Sequence, residues 1–564
     1  MPSHPWTRHY DHTVPPSLAP YPAQTLVACL DAAAAERPAH PIALFKGRRL
    51  SYDELNRLSD AIAAALAGWG VGRGDRVALV LPNTPQFLIA QFGIWKAGAI
   101  VVPLNPLYSA REFEHALQAT GATTVVVLSA YYARIKAVQP MTSVTRVVVT
   151  SIKDYLPPVL RALFTLVRER RDGHRVRPEP GDPWMQTLLA RHAGQARPAL
   201  TIAPDDPAVI LSSGGTTGVP KGVLGLHRQY VMAGIQLHHW TQPARRDWDD
   251  VVMLPLPLFH VYANVGVQAL AFMGHNPLSL IPNPRDVGDV LATIRSVRPA
   301  IFCGVPTLYT AILNHPHVVA GKVSLRSIRL CFSGSAPLHA ETKTRFEART
   351  GARIIEGYSL TEAMMAVCLN PVEGTQKIGS IGIPVSDVET RIVDDETGEQ
   401  DLPAGVVGEL LMRAPQLMAG YWRNDAETAL VLRPHGDGGP WLHTGDLAYR
   451  DEDGYIFVVD RKKDLIKTSG FQVWPREIEE VLASHEAVLE VGVAGIPDPI
   501  KGEVAKAWVV LQGGAHATED ELRQYCRTRL TPYKVPASIE FRDSLPKTMV
   551  GKILRRALSA PDAH

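Results

Sequence analysis

The sequence predicts an α/β protein in which a large, multi-layered N-terminal α/β domain, residues 1–460, is followed by a small α+β domain, residues 461–564. Two observations lead to this prediction. Helix signals and short apolar strands alternate along the N-terminal part, which is typical of a layered sheet with much parallel pairing. After Asp460 the alternation becomes more compact and continues for about a hundred residues, an ordinary size for one domain.

Length and composition narrow the class of protein. The 564 residues leave room for roughly three or four folding units of about 150 residues each. A hydrophobic share of 46%, a charged share of 20% and a net charge of +2 argue against a disordered chain or a nucleic-acid-binding protein. The five cysteines show no Cys-x-x-Cys spacing, so we interpret them as packing residues in a reducing cytosol. The first two dozen residues lack a basic segment followed by an apolar run, so we expect a cytoplasmic protein without a signal peptide.

The elements of the large domain follow from local signals. Ser51 and Glu54 predict a capping box that opens an amphipathic helix, and a second box begins at Ser109. Residues 76–81 and 99–104 are short apolar runs, which predict buried strands. Together these signals predict the alternation of a parallel α/β sheet.

Two further segments could be mistaken for membrane elements. Residues 251–274 are the most apolar stretch, but prolines and polar residues interrupt it, so we expect a buried strand followed by a buried helix. Residues 151–204 break the α/β pattern and form an insertion, in which the mostly apolar residues 159–167 are followed by three arginines. Two interpretations stay open here: contact with an anionic membrane face, or a cover for a neighbouring core.

The small domain begins after a charged joint at residues 459–464. Pro475 predicts the start of a helix, and two apolar runs, around residues 488–496 and 504–511, predict strands. Thr518 with a glutamate three positions later predicts the cap of another helix.

The strongest chemical signal is a glycine- and hydroxyl-rich loop that follows the strand at residues 208–210. Glycines let backbone N–H groups approach a polyphosphate, hydroxyls add donors, and a lysine adds a positive charge. This is not a Walker A loop, because the lysine has no Ser or Thr behind it. The residues predicted to bind phosphate are Ser212, Ser213, Gly214, Gly215, Thr216, Thr217, Gly218 and Lys221.

More motifs follow in a fixed order. They are Glu356-Gly357-Tyr358-Ser359-Leu360-Thr361-Glu362, Gly420-Tyr421-Trp422, the segment from Trp441 to Asp446, the segment from Asp460 to Lys467, Ser469-Gly470-Phe471-Gln472, and the segment from Pro546 to Lys552. With these motifs the chain resembles, over nearly its whole length, the adenylate-forming enzymes: acyl-CoA synthetases, firefly luciferase and the adenylation domains of peptide synthetases.

The resemblance implies the adenylate-forming fold, with an N-terminal ATP- and acyl-binding domain and a mobile C-terminal lid. It also implies the reaction. An acid attacks the α-phosphate of ATP, pyrophosphate leaves, and the acyl-adenylate then passes its acyl group to coenzyme A. The implied cofactors are ATP, Mg²⁺ and coenzyme A.

The resemblance also assigns roles to individual residues. Cations are needed where negative charge develops on the α-phosphate, and these are implied to be Lys552 and a magnesium ion near Glu362. Thr361 corresponds to the residue that binds the α-phosphate, and Tyr358 to the aromatic that stacks on adenine. The other implied nucleotide-binding residues are Gly334, Ser335, Ala336, Glu356 and Gly357, together with Asp446 and Arg461 for the ribose. Ser359 stands where the family usually has glycine.

A pivoting small domain is implied because the lysine and the thiol of coenzyme A need the same space in successive steps. The resemblance places the hinge at Lys463. It places Lys467, Gly470 and Gln472 among the cofactor-binding residues, with Gly470 on the thiol's tunnel.

The acid site is implied by position. His260 lies between the acyl pocket and the reacting carboxylate in the family, and we count it among the catalytic residues, although a lone histidine in an apolar run is more often a core residue. Tyr262 is implied to line the acyl channel. Some relatives carry a tryptophan gate four residues after the histidine, but this chain has Asn264 there, which argues against that gate.

Within the family the chain looks closest to bacterial long-chain fatty acid–CoA ligases. The alternatives left open are a medium-chain or aryl acid–CoA ligase of the coumarate type, a ligase that loads a carrier protein, and a lipid-binding protein with an inactive adenylation site. The expected partners are a fatty acid, ATP and coenzyme A, with no nucleic acid. Peripheral contact with the inner membrane face and a homodimer are both compatible with the resemblance.

Overall fold

The protein is described by a computed structural model that covers residues 4–213, 220–435, 439–468, 471–548 and 552–559. Four β-sheets lie in this part of the chain. Three of them are built from residues before 462, and the fourth from later residues.

The first sheet has seven strands and carries the phosphate-loop motif at one side. Its five parallel strands form a pleated core that is buried, and two antiparallel strands extend it past the motif. In spatial order the strands are Gly420–Tyr421, Gly222–Leu226, Pro207–Ser212, Ile100–Pro103, Arg76–Val80, Thr124–Leu128 and Arg146–Thr150.

The second sheet has nine strands, and its six central strands are parallel. An antiparallel strand pairs at one end and two at the other. In spatial order the strands are Ile383–Pro384, Met365–Leu369, Arg353–Leu360, Leu330–Ser333, Ile301–Gly304, Val252–Leu254, Leu278–Leu280, Pro41–Phe45 and Arg48–Ser51.

The third and fourth sheets each have five strands. The third is antiparallel and contains Glu389–Val393, Gly408–Arg413, Pro440–Arg450, Leu432–Pro434 and Ile456–Arg461. The fourth belongs to the small C-terminal unit and contains Phe471–Val473, Ile466–Thr468, Gly502–Leu511, Val488–Asp498 and Ser538–Phe541. Its strands pair antiparallel, except that the last pairs in parallel with Gly502–Leu511, and helices pack on the sheet, so the unit is α+β as the sequence predicts.

Helices fill the layers between and around the sheets. The α-helices of the described residues are Leu26–Glu36, Tyr52–Gly68, Pro85–Lys96, Ala110–Thr120, Tyr132–Val138, Pro158–Leu163, Met185–Arg191, His227–Thr241, Gln268–Met273, Val287–Val297, Pro306–Asn314, Pro316–Val319, Ala340–Thr350, Asp425–Val431, Pro475–Ala483, Glu519–Arg527 and Arg555–Ser559. Two π-helical segments, Phe164–Arg168 and Tyr262–Val267, continue into or out of α-helix.

One helix in the interior shows how the layers join. Every residue of Pro85–Lys96 is buried. Trp95 donates from its indole to the carbonyl of Ala208 in the first sheet at 2.9 Å. On another side Phe92 stacks on Phe272 at 5.0 Å between ring centroids. The large domain has one extensive apolar cluster and a second, smaller one around the first sheet, while the small unit has its own.

The sequence signals for helix starts were confirmed with one correction. Ser109 and Thr518 form complete capping boxes. The hydroxyl of Ser51 caps the helix Tyr52–Gly68 as predicted, but the carboxylate of Glu54 binds Arg48 instead of closing the box. The neighbouring strand supplies a guanidinium, so the carboxylate has a charged donor in place of the neutral backbone N–H.

The two suspected membrane segments have different structures. Residues 251–274 form a buried strand and a buried helical segment, as expected. The insertion forms the short helix Pro158–Leu163 and the π-helical turn that follows it. None of the helices in the described residues is both long and apolar enough to cross a bilayer.

Asn264 lies in the core, not at the mouth of a channel. Its side chain is fully buried in the π-helical segment Tyr262–Val267. Its amide donates to the carbonyl of Leu258 at 2.6 Å, and its side-chain oxygen accepts from the hydroxyl of Tyr230 at 2.5 Å. This side chain therefore fixes the segment that carries His260 and Tyr262.

We expect Asn264→Leu to destabilise the protein by about 2 kcal/mol, because it leaves the buried hydroxyl of Tyr230 and the carbonyl of Leu258 without partners. Denaturation followed by tryptophan fluorescence measures this. Asn314→Leu, at an exposed helix end, is the matched control and should change stability little. Equal effects of the two substitutions would show that the buried network contributes nothing specific.

Candidate active site

The base of the phosphate loop is a pair of antiparallel strands. Pro207–Ser212 and Gly222–Leu226 pair through their length. The N–H of Ser213 donates to the carbonyl of Lys221 at 2.8 Å, and the N–H of Lys221 donates to the hydroxyl of Ser213 at 3.2 Å. The two ends of the loop are thus held together. The predicted phosphate-binding residues Gly214, Gly215, Thr216, Thr217 and Gly218 lie outside the described residues.

Lys221 lies beside an aromatic ring and a carboxylate. Its amine is 2.5 Å from the carboxylate of Glu427 and 5.0 Å from the ring centroid of Tyr421. The hydroxyl of Tyr421 donates to Oε1 of Glu362 at 2.9 Å. The ring therefore connects the lysine of the loop with the glutamate that the sequence predicts to be near magnesium.

A second cluster joins two sheets. Asp446 and Arg461 face each other on adjacent antiparallel strands, and Nε of Arg461 is 2.9 Å from Oδ1 of Asp446. The hydroxyl of Tyr358 donates to the other oxygen of Asp446. Burial raises the pKa of the Tyr358 phenol, and the negative charge of Asp446 raises it further. The phenol therefore stays a neutral donor. Asp446 raises the pKa of Arg461, so the guanidinium keeps its positive charge.

The residues beside Tyr358 are brought together by parallel strand pairing. Ser333 and Glu356 are register partners, which places the turn at Gly334, Ser335 and Ala336 beside Gly357. Ser335 has φ of +71°, a conformation that side chains rarely adopt and that occurs at functional sites.

Close packing explains why glycine occupies position 357, and burial perturbs the neighbouring carboxyl of Glu356. A Cβ on Gly357 would lie 2.2 Å from a methyl carbon of Leu369, so the strand needs glycine there. Burial raises the pKa of the Glu356 carboxyl, while Lys343, 3.8 Å away, opposes that shift. Thr361 is buried at the turn after this strand.

An apolar cavity lies beside these residues, which the sequence predicts to bind the nucleotide. It encloses about 30 Å³. Gly334, Gly357, Tyr358 and Ser359 are among the residues that line it. The remaining wall is formed by Leu237, Tyr262, Gly266, Val267, Leu270, Cys303, Phe332, Ser333, Met365, Ala366 and Leu369.

Met365 occupies much of the space at the apolar end. A Cβ on Gly266 would lie only 2.2 Å from the sulfur of Met365, so that side chain rests directly on the glycine. Methionine is flexible, and it can change rotamer at little cost. The free volume can therefore grow when this one side chain turns.

His260 sits at the start of the segment that lines the cavity. Its Nδ1 accepts from the N–H of Tyr262 at 3.3 Å. Burial lowers the pKa of His260 to about 4, so the ring is neutral at physiological pH. A neutral ring can accept or donate a hydrogen bond, but it adds no charge to the site.

Lys552, in the small domain, lies within electrostatic range of Asp446 and Arg461. Burial lowers the pKa of its amine to about 8, with Arg461 adding to the effect and Asp446 opposing it. Arg555, three residues later, binds Asp460 at 2.5 Å and Glu479 at 2.7 Å. The segment that carries Lys552 is thereby fastened beside the joint between the domains.

The predicted hinge and thiol-tunnel residues lie near that joint. Lys463 is exposed in the turn Lys462–Asp464, and partial desolvation lowers the pKa of its amine. Lys467 and Gln472 are exposed cross-strand partners. The backbone N–H of Lys467 donates to the carboxylate of Glu503, so this pair of strands contacts another part of the small domain. Gly470 lies outside the described residues.

Three residues of the site were missed by sequence reasoning. Tyr421 stands in the motif Gly420-Tyr421-Trp422, but the sequence assigned it no role. Glu427 and Arg555 carry no motif signal, because their positions matter only through contacts with distant parts of the chain. The only sequence feature that could have indicated Glu427 is its negative charge, a few residues after Tyr421 in the chain.

Comparison with known proteins shows the family of this chain. Residues 30–422 match the AMP-binding enzyme family, and residues 477–552 match the AMP-binding enzyme C-terminal domain. The chain belongs to the AMP-binding enzyme family and has its two-domain fold.

Several relatives are similar over almost the whole chain. A long-chain-fatty-acid–CoA ligase from Bacillus subtilis is 39% identical, over 98% of this chain and 97% of the relative. 4-coumarate–CoA ligase 2 from Oryza sativa subsp. japonica is 33% identical, over 94% of this chain and 91% of the relative. The crystal structure of the anthranilate CoA ligase AuaEII in complex with anthranoyl-AMP superposes with a TM-score of 0.82 at 27% identity, covering 95% of this chain and 96% of that one.

The low pKa of Lys552 predicts how adenylation depends on pH. The amine is positive below about pH 8 and loses its charge above it, so kcat/KM for ATP should be level below pH 8 and fall about tenfold per pH unit well above it. Acyl-adenylate formation without coenzyme A measures this. In Lys552→Arg the charge persists, so any remaining activity should lack that limb. A limb unchanged in the arginine variant would assign the titration to another group.

Proposed function

We propose that this protein is an ATP-dependent acid–CoA ligase that converts long-chain fatty acids to acyl-CoA through an acyl-adenylate. The observation that supports this most directly is the cavity, because Tyr358 and Gly334 line it together with mostly apolar side chains. An acid lying there would present its carboxylate beside the nucleotide. The full-length similarity to CoA ligases supports the same reaction.

The large domain would hold the nucleotide. Tyr358 would stack on adenine beside Gly334, Ser335 and Ala336. Asp446 and Arg461 would bind the ribose hydroxyls, since a carboxylate can accept from two donors at once. Thr361 would bind the α-phosphate, and Lys221 with the loop would bind the outer phosphates.

Glu362 fits a role as the magnesium-binding carboxylate. Magnesium typically takes one or two protein carboxylates and fills its remaining positions with water and phosphate oxygens. In the described residues no group of three or more His, Cys, Asp or Glu side chains is placed to hold a metal, so phosphate oxygens are needed as ligands. Bound Mg²⁺ would neutralise charge on the phosphates. The hydroxyl of Tyr421 orients the Glu362 carboxylate for this purpose.

Lys552 would stabilise the charge that develops on the α-phosphate during adenylation. The contact of Arg555 with Asp460 keeps the lysine's segment beside the cluster in this pose. For thioester formation, residues 461–564 would turn about Lys463. The paired strands that carry Lys467 and Gln472, with Gly470 between them in the sequence, would then reach coenzyme A.

Sequence identity to the relatives favours a long-chain acid over an aryl acid as the substrate. The Bacillus subtilis long-chain ligase is 39% identical, against 33% for the coumarate ligase of rice. A long chain would need Met365 to turn away from Gly266, which its flexibility allows. Tyr262 would then contact the chain, while His260 would lie near its carboxylate.

We expect kcat/KM to rise roughly fourfold per methylene, about 0.8 kcal/mol each, as saturated acids lengthen, until the chain meets the end of the channel. Tyr262→Ala should move the optimum to longer or bulkier acids. Initial rates across acids from eight to eighteen carbons, with coumarate alongside, measure both. A wild-type optimum at coumarate or a short acid would contradict the long-chain proposal, and an unchanged profile in the variant would remove Tyr262 from the channel.

We also propose that the protein is cytoplasmic and touches the membrane through the segment 158–171. Apolar side chains there face solvent: Leu166 is 82% exposed, Val159 72% and Val167 61%. Arginines at positions 161, 168, 170 and 171 surround them. Exposed apolar residues with basic neighbours suit an anionic bilayer surface. A homodimer remains a prediction that sedimentation analysis can test.

Replacing Leu166 and Val159 with Glu should abolish binding to phosphatidylglycerol vesicles, because it places charge where apolar side chains would enter the bilayer. Co-sedimentation with vesicles measures this, and phosphatidylcholine vesicles test the need for anionic lipid. Val319→Glu, at a site 61% exposed elsewhere on the surface, is the control and should bind like wild type. Vesicle binding that survives the double substitution would rule this surface out.

A further inference from the structure

The side chain of Glu427 neutralises Lys221, the lysine that follows the phosphate loop. Its carboxylate lies 2.5 Å from the lysine amine. The two side chains are partly exposed, at 27% and 37%. No role in the reaction proposed above requires a carboxylate at this position, yet it holds the group that a polyphosphate would need.

Glu427 is fixed in place by the structure around it. Its helix, Asp425–Val431, begins with Asn424, whose side chain accepts from the N–H of Glu427 at 3.2 Å. The hydroxyl of Thr428 on the same helix accepts from the N–H of Tyr421 at 2.8 Å. The helix is therefore attached to the strand Gly420–Tyr421, and the backbone of Glu427 keeps its carboxylate within reach of Lys221 when the lysine takes another partner.

Lys221 has few directions in which to move. Its backbone is bonded to Ser213 in both directions, and the Tyr421 ring lies beside its amine. When a polyphosphate takes the amine, the Glu427 carboxylate loses its counter-ion and remains close to the incoming negative charge. Like charges at short range repel, and partial exposure weakens but does not remove this repulsion.

We propose that Glu427 is a positioning residue that competes with polyphosphate for Lys221 and so favours the release of pyrophosphate. This inference rests on the proposed role of Lys221 in binding the outer phosphates. By exchanging partners, Lys221 would pass from the departing pyrophosphate back to Glu427. The carboxylate thus weakens the grip of the enzyme on its inorganic product.

The test compares Glu427→Gln with Asp425→Asn. Both substitutions remove one negative charge from the first turn of the same helix, but Asp425 is exposed and is not the carboxylate that meets Lys221. Binding of magnesium pyrophosphate to each full-length protein is measured by calorimetry, together with the KM for ATP. Glu427→Asp, which keeps the charge on a shorter side chain, provides a second variant.

We expect Glu427→Gln to bind pyrophosphate about two- to fivefold more tightly, the range for a partly exposed ion pair, and to show a lower KM for ATP. Glu427→Asp should lie between it and the wild type, and Asp425→Asn should match the wild type. Weaker or unchanged pyrophosphate binding in Glu427→Gln overturns the proposal, as does an equal effect of Asp425→Asn. A raised magnesium requirement would make Glu427 a metal ligand instead, and also overturns it.

Failure of the wider proposal gives a different result. If the wild type made no acyl-CoA from any acid, the ligase function would fall, but calorimetry with pyrophosphate would still report on Lys221 and Glu427. If the wild type were active and only the calorimetric difference were missing, the competition alone would be wrong.

Discussion

The ion pair between Asp446 and Arg461 is the contact on which the candidate site depends. It closes the edge of the third sheet, receives the hydroxyl of Tyr358 from the second, and lies one residue before the turn Lys462–Asp464 that leads to the small domain. Because Asp446 is buried, it would be costly without these partners. The same charges that hold the sheets together also set the electrostatic surroundings of Lys552.

Three of the cationic side chains at the site form ion pairs with neighbouring carboxylates. Lys221 is paired with Glu427, Arg461 with Asp446, and Arg555 with Asp460. Lys552 is different, because burial and nearby arginines lower its pKa towards neutrality. A cation of this kind is held close to losing its proton, so an approaching phosphate group would stabilise the charged form strongly. The arrangement thus favours interactions that become strong only when substrate is present.

The apolar half of the site depends on a polar network behind it. Asn264 ties the π-helical segment to Tyr230 and to the carbonyl of Leu258, and this fixes the wall that Tyr262 and Gly266 present to the cavity. π-Helical turns are uncommon and recur at functional sites, where they turn side chains away from the regular helical spacing. A buried asparagine at this point provides rigidity, while the nearby Met365 provides the adaptable surface.

The sequence by itself determined the fold class, the helix caps at Ser109 and Thr518, and the motifs around Lys221, Tyr358, Asp446 and Lys552. These features are readable because capping, periodicity and loop chemistry act over a few neighbouring residues. Only the tertiary structure decided that Glu427 meets Lys221 across 206 positions, that Tyr421 bonds Glu362, and that Arg555 holds Asp460. It also decided that Arg48 takes the carboxylate of Glu54. Such pairings depend on how whole sheets and helices pack, and a charged residue on a surface helix gives no sign of its distant partner until that packing brings the two together.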